Sequence, residues 1–302
     1  MRIAMTGSHG LVGSALLEFL VGNGHDVLAV VRGPAAKDHA AQNEACWDPM
    51  EGLADVSSIE GCDLFVHLAG ENIASGRWTN EKKRKIRRSR EVATRILCEG
   101  LAAMASPPKT ILSASAVGYY GNRGDEALDE SAAPGKGFLA EVTQGWEAAT
   151  EPAAASGIRV VSLRFGMILS PAGGALAKLL PPFRLGLGGR VGTGRQYWSW
   201  VSLDDVLDGI LHLATNASIT GPVNMVSPHP VTNREFTKVL GRVLRRPAVL
   251  PLPAFAARLA LGEMADELLL SSARVEPKRL VESGFAFGHA KLEPALRHLL
   301  GR

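Results

Sequence analysis

Three glycines near the start of the chain have the spacing of a phosphate-binding loop. Residues 6–13 read TGSHGLVG, which is G-x-x-G-x-x-G placed between a strand pattern and a helix pattern. The first glycine allows a tight turn, the second lets the backbone approach a pyrophosphate, and the third lets the helix pack close to the strand. Unpaired N–H groups at the start of the helix can then bind phosphate oxygens. The residues expected to contact a dinucleotide are Thr6, Gly7, Gly10, Leu11, Val12 and Gly13.

The end of the second predicted strand indicates which dinucleotide this loop takes. In an NAD site, an acidic residue at this position binds the ribose 2′-hydroxyl. Here the strand ends Val30-Val31-Arg32-Gly33-Pro34, without an acidic residue. Arg32 can pair with the 2′-phosphate of NADP; the alternative is a solvated loop arginine. NADP is therefore the predicted cofactor.

Alternating strand and helix patterns surround these residues. Strands are predicted over residues 2–5, 25–31, 63–69, 109–116 and 159–165, and helices over 14–21, 81–104 and 138–155. Such alternation indicates βαβ units and a parallel sheet with helices on both faces. Later helices are predicted after Ser202 and Thr232, over 254–261 and over 292–300. The predicted fold is α/β, a doubly wound Rossmann sheet with a smaller α/β C-terminal substrate lobe.

The same patterns divide the chain into two parts. Residues 1–166, together with about 196–226, are expected to form the NADP-binding Rossmann domain. Residues 167–195 and 227–302 are expected to form the substrate lobe, which includes a small C-terminal domain from about residue 251.

Composition narrows the functional class. The 302 residues carry a formal net charge of +3, too small to indicate a nucleic-acid partner, and the basic run 82–88 is interpreted as a solvated helix face. No apolar run reaches the roughly 20 residues of a membrane helix, and no signal peptide is recognised. Three cysteines cannot all pair and lack metal-ligand spacing, so we expect no metal site and a cytoplasmic protein. We also expect a monomer or weak homodimer.

Short motifs along nearly the whole chain resemble those of one family. They are TGSHGLVG at 6–13, HLAGEN at 67–72, RWT at 77–79 followed by Lys82, Ser89 and Arg90, AVGYYG at 116–121, WE at 146–147 and PFRLGLGG at 182–189. With these motifs the chain resembles the extended short-chain dehydrogenases/reductases, in an atypical branch of epimerase-family, NAD-dependent epimerase/dehydratase-like proteins. Residues 261–287 look like the small C-terminal domain of that branch.

The resemblance implies further cofactor and substrate contacts. Leu68, Ala69 and Gly70 would contact the adenosine ribose and the pyrophosphate, and Arg90 stands where extended relatives place an asparagine near the cofactor. Ile168 would border the nicotinamide. Core packing is a second and compatible role for Leu68 and Ile168. Arg195 precedes an aromatic segment similar to the one that extended relatives use beside a sugar nucleotide, which makes it a candidate anion clamp.

The resemblance also implies a catalytic motif that this chain lacks. Reductases of the superfamily use Tyr-x-x-x-Lys on a helix, where the lysine lowers the tyrosine pKa. The three tyrosines of this chain, at 119, 120 and 197, have no lysine four residues further on. Ser115 matches the serine that orients the substrate oxygen, or is a small residue that fits the strand end. Tyr119 and Tyr120 are candidate catalytic residues in a loop, with packing as the alternative.

Two polar residues complete the candidate site. Glu71 and Asn72 follow a strand that points into the cleft and are expected to face substrate; Glu71 is also a possible proton source. Two functions fit these residues. The first is an NADP(H)-binding oxidoreductase or nucleotide-sugar epimerase-like enzyme with a rearranged proton-transfer group. The second is a non-catalytic NADP-binding redox sensor, regulator or scaffold.

Overall fold

The computed structural model describes residues 1–33, 44–53 and 56–302. In these residues the strands are β1 Arg2–Thr6, β2 Asp26–Arg32, β3 Glu44–Asp48, β4 Gly52–Leu53, β5 Leu64–His67, β6 Thr110–Ala116, β7 Ala127–Leu128, β8 Arg159–Phe165, β9 Met167–Leu169, β10 Tyr197–Trp198, β11 Trp200–Ser202, β12 Gly221–Met225, β13 Val231–Thr232 and β14 Arg274–Val275. The helices are α1 Leu11–Gly22, α2 Asn80–Ala102, α3 Phe138–Ala148, α4 Glu151–Ala155, α5 Gly174–Arg184, α6 Leu203–Thr215, α7 Asn233–Leu244, α8 Ala254–Leu261, α9 Glu263–Ala265, α10 Lys278–Glu282 and α11 Leu292–Leu299. A 3₁₀ helix covers Val117–Tyr120, and a π-helical turn covers Asp266–Leu270.

An eight-stranded sheet confirms the predicted α/β Rossmann fold. Its order is β12-β8-β6-β5-β1-β2-β3-β4, and all neighbours are parallel except β3 and β4. The chain builds outward from β1 on both sides, through β2 on one and β5 on the other. Ligands of doubly wound sheets bind at this switch point, outside the carboxyl ends of the strands.

Apolar side chains cover both faces of the sheet. In β1, Ile3 and Met5 belong to the core cluster on the α1 and α6 side, whereas Ala4 belongs to the cluster on the α2 side. Alternate residues of a strand point to opposite faces of the sheet. A strand that is apolar throughout must therefore be covered by other elements on both faces. In the described part of the chain, no helix has both the length and the apolar character required to cross a bilayer.

Several element predictions are confirmed, and others need correction. The predicted helix over 138–155 is wrong as one element, because the chain turns at 149–150 between α3 and α4. Pro152 lies in the first turn of α4, where its missing N–H costs nothing, whereas it would break a continuous helix. The predicted helices after Ser202 and Thr232 are confirmed. The side-chain hydroxyl of each of these residues accepts a hydrogen bond from the backbone N–H three residues further along the chain. Three strands of the large sheet, β3, β4 and β12, were missed.

Residues near the C-terminus contact residues near the middle of the sequence. Strand β14 pairs in parallel with β7. The carboxylate of Glu267, in the π-helical turn, accepts hydrogen bonds from the backbone N–H groups of Phe138 (3.2 Å) and Leu139 (3.4 Å). Because Gly137 has no side-chain cap, a residue distant in sequence supplies the cap of α3.

Candidate functional site

The glycine loop is packed so closely that two of its positions exclude a side chain. Gly7 has φ of +77°, and a Cβ there would lie 2.8 Å from the carbonyl carbon of Leu68. A Cβ at Gly13 would lie 2.0 Å from the carbonyl oxygen of Gly7. The loop closes with a 3.0 Å hydrogen bond from Gly10 N to Gly7 O. The glycines therefore bring β1, α1 and the residues after β5 into direct backbone contact.

The start of α1 fits a pyrophosphate. Gly10 is its N-cap and provides no side-chain cap, and the first turn contains no acidic residue. The first N–H groups of a helix have no partner inside the helix and carry the positive end of its dipole. The N–H groups of Leu11 and Val12 therefore lie at the carboxyl edge of the sheet, without a partner among the described residues, where an anion can bind.

A series of buried side-chain hydrogen bonds lies next to the glycine loop. His67, the last residue of β5, pairs its Nδ1 with Thr6 Oγ1 (2.7 Å) and its Nε2 with Thr94 Oγ1 (2.9 Å). Burial lowers the pKa of His67 to about 4, so the imidazole is neutral at pH 7. Ala69 N lies 3.4 Å from Thr6 Oγ1. His67 and Thr94 thus fix the backbone beside the cofactor position without contacting solvent.

Arg90 provides a fixed cation next to this backbone. Its guanidinium lies 4.8 Å from the ring centroid of Trp146 and donates to the carbonyl oxygen of Glu71 (3.0 Å). A Cβ on Gly70 would be 3.5 Å from the guanidinium carbon. Burial lowers the pKa of Arg90 to about 10, and the side chain is still charged at neutral pH. Arg90 thus lies beside Gly70, and its predicted contact with the cofactor stays a prediction.

Arg32 lies at the carboxyl end of β2, exposed to solvent. Among the described residues its guanidinium has no hydrogen bond or ion pair. Pro34, the last residue of the strand end quoted above, lies outside the described residues. An arginine at this strand end is compatible with the predicted 2′-phosphate contact, which stays a prediction.

On the other side of the loop, the residues at the start of α5 lie next to Leu11. A Cβ on Gly173 would be 3.0 Å from Leu11 Cδ1, and one on Gly174 would be 3.6 Å from the carbonyl oxygen of Ile168. Ile168 packs against the core on the α1 side of the sheet. Both roles considered for Ile168, core packing and the cofactor border, are therefore compatible with its position.

The predicted serine belongs to a buried network. Ser115 Oγ donates to Glu147 Oε1 (2.6 Å), and Glu147 forms a two-pronged ion pair with Arg164 (2.8 and 2.8 Å). The Arg164 side chain is only 3% exposed. Burial alone would lower the pKa of Arg164, but the bonded carboxylate outweighs it and the pKa is raised. In the sequence, Glu147 stands out only as part of the WE motif. Arg164 was not predicted, because its neighbours in β8 are mostly apolar.

The two loop tyrosines have different surroundings. Tyr120 is fully buried. Its hydroxyl donates a hydrogen bond to Asn224 Oδ1 (2.7 Å) and accepts one from Arg164 (2.9 Å). Burial raises the pKa of Tyr120 to about 12, which argues against the predicted acid–base role and for the packing alternative. Tyr119 is partly buried, its ring centroid 3.5 Å from the Arg164 guanidinium carbon. Its hydroxyl has no partner among the described residues.

The three predicted substrate residues do not form one group. Glu71 is ion-paired with Lys82, and this hydrogen bond lowers the pKa of the carboxyl. Glu71 is therefore ionised near neutral pH, and its predicted use as a proton donor is wrong. Asn72 Oδ1 accepts from Ala74 N (2.9 Å) and stabilises a turn. Arg195 is exposed, and its side chain forms no hydrogen bond or ion pair with Glu71 or Asn72.

Family models cover almost the whole chain. The model described as the NAD dependent epimerase/dehydratase family matches residues 3–246. The chain belongs to this family. A second model, for a domain of unknown function (DUF1731), matches residues 252–299. The protein is thus an atypical extended short-chain dehydrogenase/reductase with the C-terminal domain of its branch, as the motifs predicted.

Individual relatives agree with this assignment. An epimerase family protein of Mycobacterium leprae is 43% identical over 99% of this chain and 96% of its own length. The crystal structure of human epimerase family protein SDR39U1 with NADPH superposes over the full length of both chains, at 31% identity and a TM-score of 0.91. A nucleoside-diphosphate sugar epimerase from Corynebacterium glutamicum, at 36% identity and a TM-score of 0.82, matches this whole chain with 58% of its own.

Proposed function

We propose that the protein is an NADP(H)-dependent oxidoreductase or nucleotide-sugar epimerase-like enzyme that works without a Tyr-x-x-x-Lys pair. The observation that carries the proposal is the cofactor cradle. An uncapped helix start without acidic residues lies at the carboxyl edge of the sheet, and Arg32, which has no ion pair among the described residues, ends β2. The NADPH in the human relative supports the same cofactor here.

Replacing Arg32 with alanine should remove the preference for NADP(H) over NAD(H). A charge-assisted hydrogen bond contributes about 1.5–3 kcal/mol, so NADPH affinity should fall about tenfold or more while NADH affinity stays unchanged. Calorimetric titration of both cofactors measures the two affinities. Arg88→Ala, which removes an exposed arginine of α2, is the matched control. Equal NADPH affinity in the two variants would show that Arg32 does not bind the 2′-phosphate.

The proposed chemistry assigns separate tasks to the residues at the end of β6. A bound nicotinamide would supply or accept hydride. Ser115 donates its only hydroxyl proton to Glu147, so toward substrate it offers lone pairs. The free hydroxyl of Tyr119 is then the group that can exchange a proton with a substrate oxygen. Arg164, stacked on the ring, fixes its position.

Substitution of Tyr119 by phenylalanine should reduce turnover about 100-fold or more, since general acid–base catalysis typically contributes about 10²–10⁴. NADPH affinity should stay within twofold. Tyr120→Phe is the matched control, because it deletes the neighbouring phenol; it should lower stability more than chemistry. Nicotinamide oxidation across carbonyl compounds and nucleotide sugars measures turnover. Full activity of Tyr119→Phe would exclude this tyrosine as the proton donor.

One observation favours a second function, a non-catalytic NADP-binding redox sensor, regulator or scaffold. The hydroxyl of Ser115 is held by Glu147, and α3 carries neither tyrosine nor lysine. Tight NADPH binding together with no turnover across the same panel of substrates would decide for this function.

We also infer a reducing, cytoplasmic compartment and a monomer or weak homodimer. All three cysteines are free, and two of them are buried. Burial raises the pKa of Cys98 to about 12, so its thiol is unreactive. Light scattering of the purified protein at several concentrations tests the oligomeric state.

A further inference from the structure

Three potential metal ligands meet where the C-terminal segment touches the Rossmann domain. Asp204 is in the first turn of α6, His298 is in the last turn of α11, and His289 lies in the segment before α11. Asp204 Oδ2 is 3.0 Å from His298 Nε2 and 3.6 Å from His289 Nε2. One ligand atom of each residue lies within 4.8 Å of the other two.

These separations suit one small cation. With metal–ligand bonds of about 2.0–2.2 Å, neighbouring ligand atoms of a tetrahedral zinc site lie roughly 3.3–3.5 Å apart. The two Asp204–histidine separations bracket that range. The imidazole rings are stacked, with centroids 4.4 Å apart, so both rings lie on the same side of the Asp204 carboxylate. The three side chains are 20–57% exposed, which leaves an entry path and room for water as a fourth ligand.

The backbone around the site is held in place by groups that are not ligands. The carboxylate of Asp205, itself 1% exposed, accepts from Gly288 N (2.7 Å) and His289 N (3.1 Å). Ser227 Oγ donates to the carbonyl oxygen of Ala290 (2.7 Å). His289 is therefore fixed over the start of α6 before any metal binds. These contacts limit the movement of the backbone that carries His289.

We propose that Asp204, His289 and His298 form a binding site for a divalent transition metal ion, with zinc as the best match. Two imidazoles and one carboxylate are ligands that zinc takes readily. The site joins α11 to α6 and so fastens the C-terminal domain to the Rossmann domain. It departs from the sequence expectation of no metal, since 94 residues separate Asp204 from His298.

Zinc titration of the full-length protein tests the site. Wild type should bind one zinc ion per chain, with a rise in Tm of about 5 °C at a hundredfold excess over Kd. Asp204→Asn and His298→Gln should each weaken zinc binding at least tenfold and abolish that rise. His229→Ala, which removes an exposed imidazole elsewhere, should bind zinc as wild type does. Cobalt(II) should give the visible absorption of a tetrahedral site in wild type and not in His298→Gln.

Folding and metal binding can be separated in this experiment. Circular dichroism and NADPH affinity of His298→Gln should match those of wild type, so lost zinc binding cannot be ascribed to unfolding. Zinc affinity equal to wild type in both Asp204→Asn and His298→Gln would overturn the proposal. A loss of zinc binding in His229→Ala as large as in those variants would also overturn it.

Discussion

Replacement of Gly13 by alanine should abolish NADPH binding at micromolar concentration. The new Cβ would lie 2.0 Å from the carbonyl oxygen of Gly7, so α1 must move away from the loop. At least two charge-assisted hydrogen bonds to phosphate would be lost, each worth about 1.5–3 kcal/mol, which corresponds to a loss in affinity of about 100-fold or more. Overpacking should also cost about 1–3 kcal/mol of stability. Calorimetry and urea unfolding measure the two effects.

The same helix provides the control. Gly22 ends α1, and a Cβ there would meet nothing within 4 Å. Gly22→Ala should bind NADPH as wild type does and should be neutral or up to about 1 kcal/mol more stable, because alanine is the better helix former. NADPH affinity in Gly13→Ala as high as in Gly22→Ala would disprove the role assigned to the glycine loop.

Substitution of Glu147 by glutamine should be the most destabilising change in the network at β6. It removes the charge that pairs with Arg164, whose side chain is 3% exposed, and leaves a buried guanidinium without a carboxylate. Breaking a buried ion pair on one side costs about 3–5 kcal/mol. Urea denaturation should show this loss as a lower midpoint with an unchanged slope.

An exposed pair and a double variant serve as controls for this measurement. Asp266→Asn removes the partner of Arg258, where both side chains are about half exposed; its effect should stay within about 1 kcal/mol. Glu147→Gln combined with Arg164→Met removes both buried charges and should regain part of the loss. A cost for Glu147→Gln no larger than that for Asp266→Asn would mean that this ion pair does not stabilise the fold.

The parts of the fold set by local patterns were predictable. The glycine spacing gave the β1–loop–α1 unit, and the hydroxyls of Ser202 and Thr232 marked two helix starts. Strand β3 was missed because it is short, has acidic residues at both ends and buries only Ala45 and Trp47. A buried strand of this length gives too weak an alternation to be recognised.

The position of the glycine loop and of Arg32 in the fold was predictable, whereas the buried network beside them was not. Backbone N–H groups and Arg32 follow from one motif and one strand end. The network of Ser115, Glu147 and Arg164 joins residues 17 and 32 positions apart, and its pairing depends on strand register and helix packing. For the same reason, nothing in the sequence distinguished Tyr119, with its free hydroxyl, from the buried Tyr120 beside it.

The late position of Glu267 in the chain has a consequence for protein synthesis. Glu267 caps α3 at Phe138, 129 residues earlier. At about 5–20 residues per second, roughly 6–26 seconds pass between the synthesis of the helix start and that of its cap. The time between the synthesis of β7, which precedes α3, and the synthesis of its pairing strand β14 is longer still. During this interval the nascent chain exposes the region around residues 121–138, which makes it the expected site of chaperone binding and of proteolysis on the ribosome.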